Sequence, residues 1–419
     1  MNHYKLTKYN TKLSLETDKN KINKYTKKIN YYRLNMAAGS NINLSQPHQP
    51  KNESEYNTEP NIKADKINAH GYGLLQRHKK LEPVVFERRS PYPNDVVVRI
   101  MYCGVCHSDW HYITGEWEAN LPLVCGHEFT GRIVAIGSHV TKFKIGDAVA
   151  IGTQINSCRI CKMCINGHEQ YCENGLSSTY DGRDRRPNEI NTNSQPSGEQ
   201  THGGYSNIIT VTQDFVFHLP DNLPLDVAAP LLCAGITTYN PLKQAGVKPG
   251  FRVGVAGIGG LGHIAVKIAK AMGAYVVAIT STEWKLDDVS RIGADQSVLV
   301  TDRKTMNALS ESLDVIIDTI PKYHDLNIYL DLLAYNGILW ILGPFTPLNF
   351  DMSLLASKNR SIRSSIVGGI SETIEMLNFC AKHNIVADIE KIPLSHINKT
   401  YNKLIKSQVK YRFVLDINH

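Results

Sequence analysis

The feature that most constrains the fold is a glycine-rich turn in residues 252–281, RVGVAGIGGLGHIAVKIAKAMGAYVVAITS, between an apolar and an amphipathic segment. Gly257, Gly259 and Gly262 give the pattern G-x-G-x-x-G. In a strand–turn–helix unit, the first glycine allows a tight turn, the second lets a pyrophosphate approach, and the third lets helix and strand pack closely. The alternative is a purely structural turn. We predict a dinucleotide-binding turn formed by Gly257, Ile258, Gly259, Gly260, Leu261 and Gly262.

Apolar segments alternate with helix-like segments over the second half of the chain. The apolar segments read RVGVA, YVVAIT, QSVLV, DVIIDTI, GILWIL and SIRSSIV, and stretches such as LGHIAVKIAKAMG lie between them. This alternation predicts an α/β fold with a parallel, doubly wound sheet. Earlier in the chain, DVVVRIMYCG and FTGRIVAIGSHV predict strands of another domain, and YRFVLDI predicts a C-terminal strand that returns to it.

The end of the second of these strands bears on the choice between NAD and NADP. NAD-binding proteins place an acid there, about 20 residues after the glycine turn, to bind the ribose 2′-hydroxyl. This chain instead has Thr280, Ser281 and Thr282, followed by Lys285, and these side chains suit a 2′-phosphate. Glu283 has nearly the expected spacing but lies past the strand end, where we expect it to face solvent. The sequence therefore predicts NADP(H).

Four cysteines fall within fifteen residues: Cys158, Cys161, Cys164 and Cys172, with the spacing C-x2-C-x2-C-x7-C. An iron–sulfur site of the bacterial type has C-x2-C-x2-C-x3-C-P, and a zinc ribbon has two separated C-x2-C pairs. A closed structural zinc site fits best, because four thiolates leave a tetrahedral Zn²⁺ no open position. We predict that this lobe, residues 157–173, is scaffolding.

A second set of metal ligands is spread along the chain. CGVCHSDWH contains Cys106, GHEFTG contains His127, and PLLCAGITT contains Cys233. Each fragment alone is weak, since a cysteine or histidine beside glycine is more often a packing residue. Together they supply the two thiolates and one imidazole of an open catalytic zinc, with the fourth position free for substrate. We predict two Zn²⁺ per chain.

The formal net charge of +7 comes from one end of the chain. Residues 1–35 hold eight lysines and Arg33 against Glu16 and Asp18, so the other residues are neutral overall. The neutral body argues against nucleic-acid binding, although a zinc-lobe nucleic-acid binder with a basic arm is the competing hypothesis. Residues 1–60 are polar without a sustained apolar period, which predicts a disordered basic arm.

Length and composition bound the remaining possibilities. A chain of 419 residues with 42% hydrophobic and 20% charged residues predicts a globular protein of two domains. No apolar run approaches the roughly 18 residues of a membrane helix, and no secretory signal is visible. Nine cysteines, an odd number, then indicate reduced or metal-bound thiols. We expect no membrane partner and a cytoplasmic location.

From residue 61 to residue 419 the chain resembles the zinc-dependent medium-chain dehydrogenase/reductases, most closely the cinnamyl-alcohol-dehydrogenase-like branch with its bacterial NADP-dependent aldehyde reductases. The resemblance rests on CGVCHSD, GHE, the four-cysteine lobe, APLLCAGITTY, GIGGLGH and KYRFVLD, which occur in this order. It implies a GroES-like β catalytic domain (residues 61–232 and 369–419), a Rossmann NADP-binding domain (residues 233–368) and a homodimer.

The resemblance also implies roles for individual residues. Glu128 would be an alternative zinc ligand, Asp109 would orient His127, and Ser108 and His111 would form the proton relay. The implied cofactor contacts are His107, Thr237, Thr319, Gly343, Ser365, Ile366 and Val367. Trp117 and Trp340 are candidate pocket aromatics, with a core position as the alternative. Cys125 departs from the family pattern, which has proline before Gly-His-Glu, and we expect it to be a buried small hydrophobe.

The function implied by the resemblance is a reversible alcohol dehydrogenase that reduces small aldehydes to primary alcohols with NADPH, with broad aromatic and aliphatic specificity. A catalytically inactive sensor on the same fold is a further alternative. Residues 173–204 are polar and punctuated by glycine and proline, which predicts a long surface loop.

Overall fold

The computed structural model describes residues 46–56, 60–62, 66–343, 347–406 and 408–418. Residues 1–45 of the predicted arm lie outside the described residues. Residues 46–56, which the sequence predicts as disordered, are instead ordered. His48 pairs with Val85 through two backbone hydrogen bonds of 3.1 and 2.9 Å, and Pro47 is buried. The prediction was wrong here because backbone hydrogen bonds to the neighbouring strand hold a polar segment that has no periodic pattern of apolar residues.

Strands and helices follow one another along the whole described chain. The strands are β1 (Lys66–Gly73), β2 (Glu82–Arg89), β3 (Asp95–Gly104), β4 (Phe129–Ile136), β5 (Ala148–Ile151), β6 (Gln154–Asn156), β7 (Ser177–Ser178), β8 (Ile208–Thr212), β9 (Phe217–His218), β10 (Arg252–Ala256), β11 (Tyr275–Thr280), β12 (Gln296–Leu299), β13 (Leu313–Asp318), β14 (Leu333–Ile341), β15 (Ser361–Ser364), β16 (Ile389–Pro393) and β17 (Arg412–Asp416).

The α-helices are mostly short. They are α1 (Glu53–Tyr56), α2 (His107–Ile113), α3 (Lys162–Ile165), α4 (Leu225–Ala228), α5 (Ala234–Gln244), α6 (Gly262–Ala271), α7 (Lys285–Arg291), α8 (Arg303–Ala308), α9 (Asn327–Leu332), α10 (Met352–Ala356), α11 (Ile370–Lys382) and α12 (Ile397–Ile405). Within the residues described, none of these helices is long and apolar enough to cross a membrane.

Six strands form a parallel sheet in the order β12-β11-β10-β13-β14-β15. Successive residues of β11 face opposite sides: Val276 and Ala278 pack in one core with α6, and Val277 and Ile279 pack in another with α9. This burial on both faces explains why the strands read as nearly continuous apolar runs. The predicted doubly wound sheet is confirmed. The strand order reverses at β10, so a crevice for ligands is expected at the carboxyl ends of β10 and β13.

Seven strands form a second, mixed sheet in the order β16-β17-β3-β4-β5-β9, with β8 also paired to β3. The ten-residue strand β3 is its centre, and its valines Val96, Val97 and Val98 are fully buried. Strand β17 pairs with β3, so the C-terminal segment returns to this sheet as predicted. The chain boundaries proposed for the two domains, residues 61–232 with 369–419 and residues 233–368, remain predictions.

Candidate active site

Cys106, His127 and Cys233 converge at the junction of the two sheets. Cys106 caps the start of α2, His127 lies two residues before β4, and Cys233 precedes α5. The Cys106 and Cys233 sulfurs are 3.9 Å apart, and His127 Nε2 lies 3.3 Å from the Cys233 sulfur. Their three ligand atoms lie within 4.8 Å of one another, and all three residues are buried. Two thiols and one imidazole are the donor set of a catalytic zinc with an open position, so these residues fit the ion.

Asp109 organises this cluster from behind. Its Oδ1 lies 3.3 Å from His127 Nδ1 and accepts from the Gly126 N–H at 3.2 Å. Its Oδ2 accepts from the Cys106 N–H at 3.0 Å and from the Tyr205 hydroxyl at 2.7 Å. The carboxylate is fully buried and holds the His127 ring so that Nε2 faces the thiols. Sequence analysis missed Tyr205, which lies 96 residues from Asp109.

The thiols differ in acidity. Hydrogen bonding to Cys233, and then to His127, holds the pKa of Cys106 well below that of a free thiol, although burial opposes it. The same thiol–thiol bond, with burial, raises the pKa of Cys233 well above its usual value. The lowered pKa of Cys106 favours its thiolate, which is the form that binds a metal.

Glu128 does not join the three ligand atoms in this arrangement. It is fully buried and forms an ion pair with Arg412, whose side chain is also buried. Burial raises the pKa of Glu128 to about 8, and the positive charge of Arg412 opposes this rise. Its predicted part as an alternative zinc ligand remains a prediction. Arg412, which sequence analysis missed, also borders the glycine turn: a Cβ added to Gly260 would lie 2.7 Å from its Nη1.

A single cleft of about 1110 Å³ joins the Cys106–His127–Cys233 cluster to the glycine turn. Apart from the four lobe cysteines, nearly all of the predicted site residues line it. They are Cys106, His107, Ser108, His111, His127, Cys233, Thr237, Gly257, Ile258, Gly259, Gly260, Leu261, Thr280, Ser281, Thr282, Lys285, Thr319, Gly343, Ser365, Ile366 and Val367. Asp109, Glu128 and Gly262 lie outside the lining, the first two buried behind the cluster and the third against the turn.

The glycine turn has the shape that a pyrophosphate requires. Gly257 adopts a φ of +82°, in the left-handed region, directly after β10. A Cβ on Gly262 would lie 2.0 Å from the Gly257 carbonyl oxygen, whereas a Cβ on Gly259 would meet no atom within 4 Å. The turn is therefore closed on the protein side and open at Gly259, where a phosphate can approach the start of α6. These residues fit a dinucleotide.

At the end of β11 and just after it, the predicted polar side chains lie beside this turn. Thr280 Oγ1 accepts from the Thr282 N–H at 3.1 Å, and the buried Lys285 side chain donates to the Ile258 carbonyl at 2.6 Å. Burial lowers the pKa of Lys285, and Asp288 opposes the change. Glu283 is exposed and outside the cleft lining, as expected for an acid that does not bind the ribose.

The predicted relay residues lie on α2 at the cleft. The Cys106 sulfur lies 3.7 Å from Ser108 Oγ. His111 Nδ1 bonds to the Glu116 carboxylate at 2.6 Å, and its Nε2 is buried with no hydrogen-bond partner among the described residues. The carboxylate accepts the Nδ1 proton and leaves Nε2 as the nitrogen able to exchange a proton with a ligand. Sequence analysis missed Glu116.

Aromatic side chains surround the metal-ligand end of the cleft. Trp117 stacks on His111 with ring centroids 4.7 Å apart, and Tyr180 lies 5.6 Å from the His127 ring. Trp110 and Tyr112 also line the cleft. Trp340, the other candidate pocket aromatic, lies in β14 with 2% exposure and belongs to the core, because the strand turns it away from the cleft.

The four clustered cysteines come together as predicted. The ligand atoms of Cys158, Cys161, Cys164 and Cys172 lie within 4.8 Å of one another. Backbone N–H groups point at the sulfurs: Cys161 N–H donates to Cys158, and Glu173 N–H donates to Cys161, each at 3.4 Å. Such hydrogen bonds stabilise thiolates. Four thiolates complete a tetrahedral zinc site without an open position.

Cys125 is fully buried, and burial raises the pKa of its thiol well above the usual value. It lies outside both groups of metal-ligand atoms. The side chain thus packs as a small hydrophobe, as the sequence analysis expects.

Comparisons with known proteins agree with this geometry. Residues 92–221 match the family described as alcohol dehydrogenase GroES-like domain, and residues 260–382 match the family described as zinc-binding dehydrogenase. A probable zinc-type alcohol dehydrogenase-like protein of Acanthamoeba polyphaga mimivirus is 46% identical over 99% of this chain and 97% of its own length. An NADP-dependent alcohol dehydrogenase of Mycolicibacterium smegmatis is 43% identical over 82% of this chain and 97% of its own length.

Solved structures give the same result. A cinnamyl alcohol dehydrogenase from Sorghum bicolor has a TM-score of 0.79 and 39% identity, covering 84% of this chain and 98% of its own. A structure titled as the corresponding enzyme from Helicobacter pylori complexed with NADP(H) has a TM-score of 0.77 and 40% identity, covering 84% of this chain and 99% of its own.

Proposed function

Because the chain belongs to the zinc-dependent medium-chain dehydrogenase/reductases of the cinnamyl-alcohol-dehydrogenase-like branch, we propose that it reduces aldehydes to primary alcohols with NADPH. The observation that carries this proposal is the single cleft that joins the Cys106–His127–Cys233 cluster to the glycine turn. A hydride donor and a carbonyl activator must act on the same substrate molecule. This cleft brings the binding sites of the two together.

The metal cluster would place the aldehyde. Zinc held by Cys106, His127 and Cys233 would act as a Lewis acid toward the carbonyl oxygen. Asp109 keeps the imidazole of His127 in the orientation and tautomer that a ligand needs. The aromatic residues around this end exclude water and give the carbon skeleton of the substrate an apolar surface. We propose a broad specificity that covers aromatic and aliphatic aldehydes.

The glycine turn and β11 would hold the cofactor. NADPH would supply the hydride. Gly259 gives its phosphates access to the backbone, and Thr280, Ser281, Thr282 and Lys285 would bind the 2′-phosphate. The NADP-dependent M. smegmatis relative supports this cofactor, as does the H. pylori structure with NADP(H).

His111 would complete the proton transfer. Ser108 lies beside the metal ligand Cys106 and would hold the proton next to the substrate oxygen. The cofactor ribose would link Ser108 to His111, whose buried Nε2 has no hydrogen-bond partner among the described residues and whose other nitrogen is fixed by Glu116. Run in the opposite direction, the same groups would oxidise a primary alcohol.

We predict that the purified protein consumes NADPH in the presence of aldehydes. A panel of aliphatic and aromatic aldehydes, followed by NADPH absorbance, should give turnover with several of them. With NADH the kcat/KM should be at least about tenfold lower, because each good charge-assisted contact to the 2′-phosphate contributes more than about 1.4 kcal/mol. Absence of turnover with every aldehyde, or a preference for NADH, would contradict the proposal.

We also propose a homodimer formed through the edge of the parallel sheet. Strand β15 ends the described sheet and pairs with β14 on one side, so its other edge presents backbone groups that a second copy could pair with. Light scattering coupled to size-exclusion chromatography should give twice the mass of one chain. A mass of one chain at micromolar concentration would exclude this dimer.

A further inference from the structure

Residues 173–204, predicted as a long surface loop, include exposed residues such as Asn188 and Asn193 and are packed into a hairpin-like unit. Residues 181–184 run antiparallel to residues 198–201, with hydrogen bonds such as Asp184 N–H to Glu199 O at 2.8 Å and Thr201 N–H to Gly182 O at 3.0 Å. Arg89 anchors the unit to the body of the protein through Asp184 at 2.6 Å. Polar composition could not reveal that one of the polar side chains serves as the core of this unit.

That central side chain is Arg185, which is 1% exposed. Its Nη1 donates to the carbonyls of Glu189 at 3.0 Å and Ser194 at 2.7 Å. Its Nη2 donates to the carbonyls of Asn174 at 2.5 Å and Gly175 at 2.8 Å. One planar guanidinium therefore fixes backbone from both sides of the unit, which no other side chain can do with the same geometry.

The positions of these carbonyls matter for the cleft. Asn174 and Gly175 precede residues 176–180, and Arg185 follows them, so the guanidinium ties together the two ends of this stretch. Leu176, Ser178, Thr179 and Tyr180 from the stretch line the cleft. Tyr180 lies 5.6 Å from the ring of His127, beside the place where a substrate carbonyl would bind.

The same unit also rests on the four-cysteine lobe. The Asn174 side chain donates to the Cys158 sulfur at 3.4 Å, and the Asn191 N–H donates to the Cys158 carbonyl at 3.1 Å. The stretch 176–180 is thus held from the lobe at one end and from Arg185 at both ends.

We propose that Arg185 is a positioning residue for substrate selection: it holds residues 176–180 as a rigid wall, and Tyr180 on this wall sets which aldehydes fit beside His127. The inference rests on the proposed function, since the wall selects substrates only if the cleft binds them. The four carbonyls that Arg185 binds belong to residues 174–194 and not to the glycine turn. Cofactor binding is therefore expected to be independent of Arg185.

The test compares a small aldehyde, propanal, with a large one, cinnamaldehyde. In the Arg185→Gln variant the ratio of their kcat/KM values should change by about tenfold or more, mainly through KM, as expected when a pocket wall loses its fixed position. The NADPH dissociation constant should stay within about twofold and the zinc content at two per chain, since neither the turn nor a thiol is altered. Arg185→Lys, which keeps the positive charge but not the planar guanidinium, should shift the ratio less.

Arg186→Gln is the matched control, because it removes a neighbouring guanidinium and leaves the four carbonyl bonds of Arg185 intact; its ratio should equal that of the unchanged protein. Should Arg185→Gln fail to fold, Tyr180→Ala decides, with the zinc content measured beside the ratio because Tyr180 also interacts with Asp109 and the His127 ring. An unchanged ratio in the folded variant, or equal loss with both aldehydes, overturns the inference. Inactivity of the unchanged protein with both aldehydes would reject the proposed function itself, and the inference with it.

Discussion

Replacing Cys106 with serine should lower kcat/KM for aldehyde reduction by about three orders of magnitude, since Lewis-acid activation contributes several kcal/mol and each 1.36 kcal/mol is a factor of ten. A neutral serine hydroxyl is a poor zinc ligand, and the low pKa of the Cys106 thiol would be lost with the sulfur. Metal analysis should find one Zn²⁺ per chain in place of two, because the four-cysteine lobe is unaffected.

Folding should persist in this variant. Cys106 caps a helix of seven residues, and its backbone bond to Asp109 does not depend on the sulfur. Circular dichroism and the melting temperature therefore separate loss of chemistry from loss of structure. Cys125→Ala is the matched control, since it removes a buried thiol two residues from His127 and outside the metal-ligand atoms. It should keep its activity and both zinc ions, whereas retained turnover in Cys106→Ser would reject the catalytic-zinc assignment.

Two parts of the site that sequence analysis found, the four-cysteine lobe and the glycine turn, have a local signal, whereas Cys106, His127 and Cys233 were assigned from fragments spread along the chain. The four cysteines lie within fifteen residues, and the glycine turn lies between a strand and a helix that are adjacent in the chain. Periodicity likewise predicted the parallel sheet, because burial on both faces leaves continuous apolar runs.

Two of the residues that it missed act across long separations, unlike Glu116, which bonds to His111 five residues away. Arg412 pairs with Glu128 284 residues away, and Tyr205 donates to Asp109 96 residues away. The local sequence does not identify the partner of either residue, although Arg412 lies in the KYRFVLD segment that carries the resemblance, because the partner is set by the tertiary fold. Arg185 is a related case, because its role depends on backbone carbonyls, which no side-chain pattern records.

Replacing Cys164 with serine should lower stability rather than chemistry. The Cys164 sulfur lies 3.5 Å from that of Cys161 and 3.9 Å from that of Cys158, at the centre of the lobe. Apparent zinc-binding free energies of about 10–16 kcal/mol in small zinc modules are largely folding energy. Loss of one of four ligands should therefore cost several kcal/mol of unfolding free energy, or about 10 °C in melting temperature.

The destabilisation of the lobe in Cys164→Ser should also affect the cleft. Glu169 in the lobe accepts from the Ile370 N–H at 2.9 Å at the start of α11, and the Tyr171 hydroxyl contacts the Ile366 N–H at 3.4 Å. Ile366 lines the cleft, so a loosened lobe should also weaken cofactor binding. Removing the lobe zinc from the unchanged protein with a chelator should reproduce the same drop in melting temperature.

Ile165→Ser is the matched control for this variant. Ile165 follows Cys164 directly and is 72% exposed, so the substitution alters the same helix α3 without touching a metal ligand. Its melting temperature and its zinc content should equal those of the unchanged protein. A Cys164→Ser variant with the same melting temperature as this control would show that the lobe does not depend on its metal, because a scaffold that loses one of its four thiolates cannot keep the full binding energy of the ion.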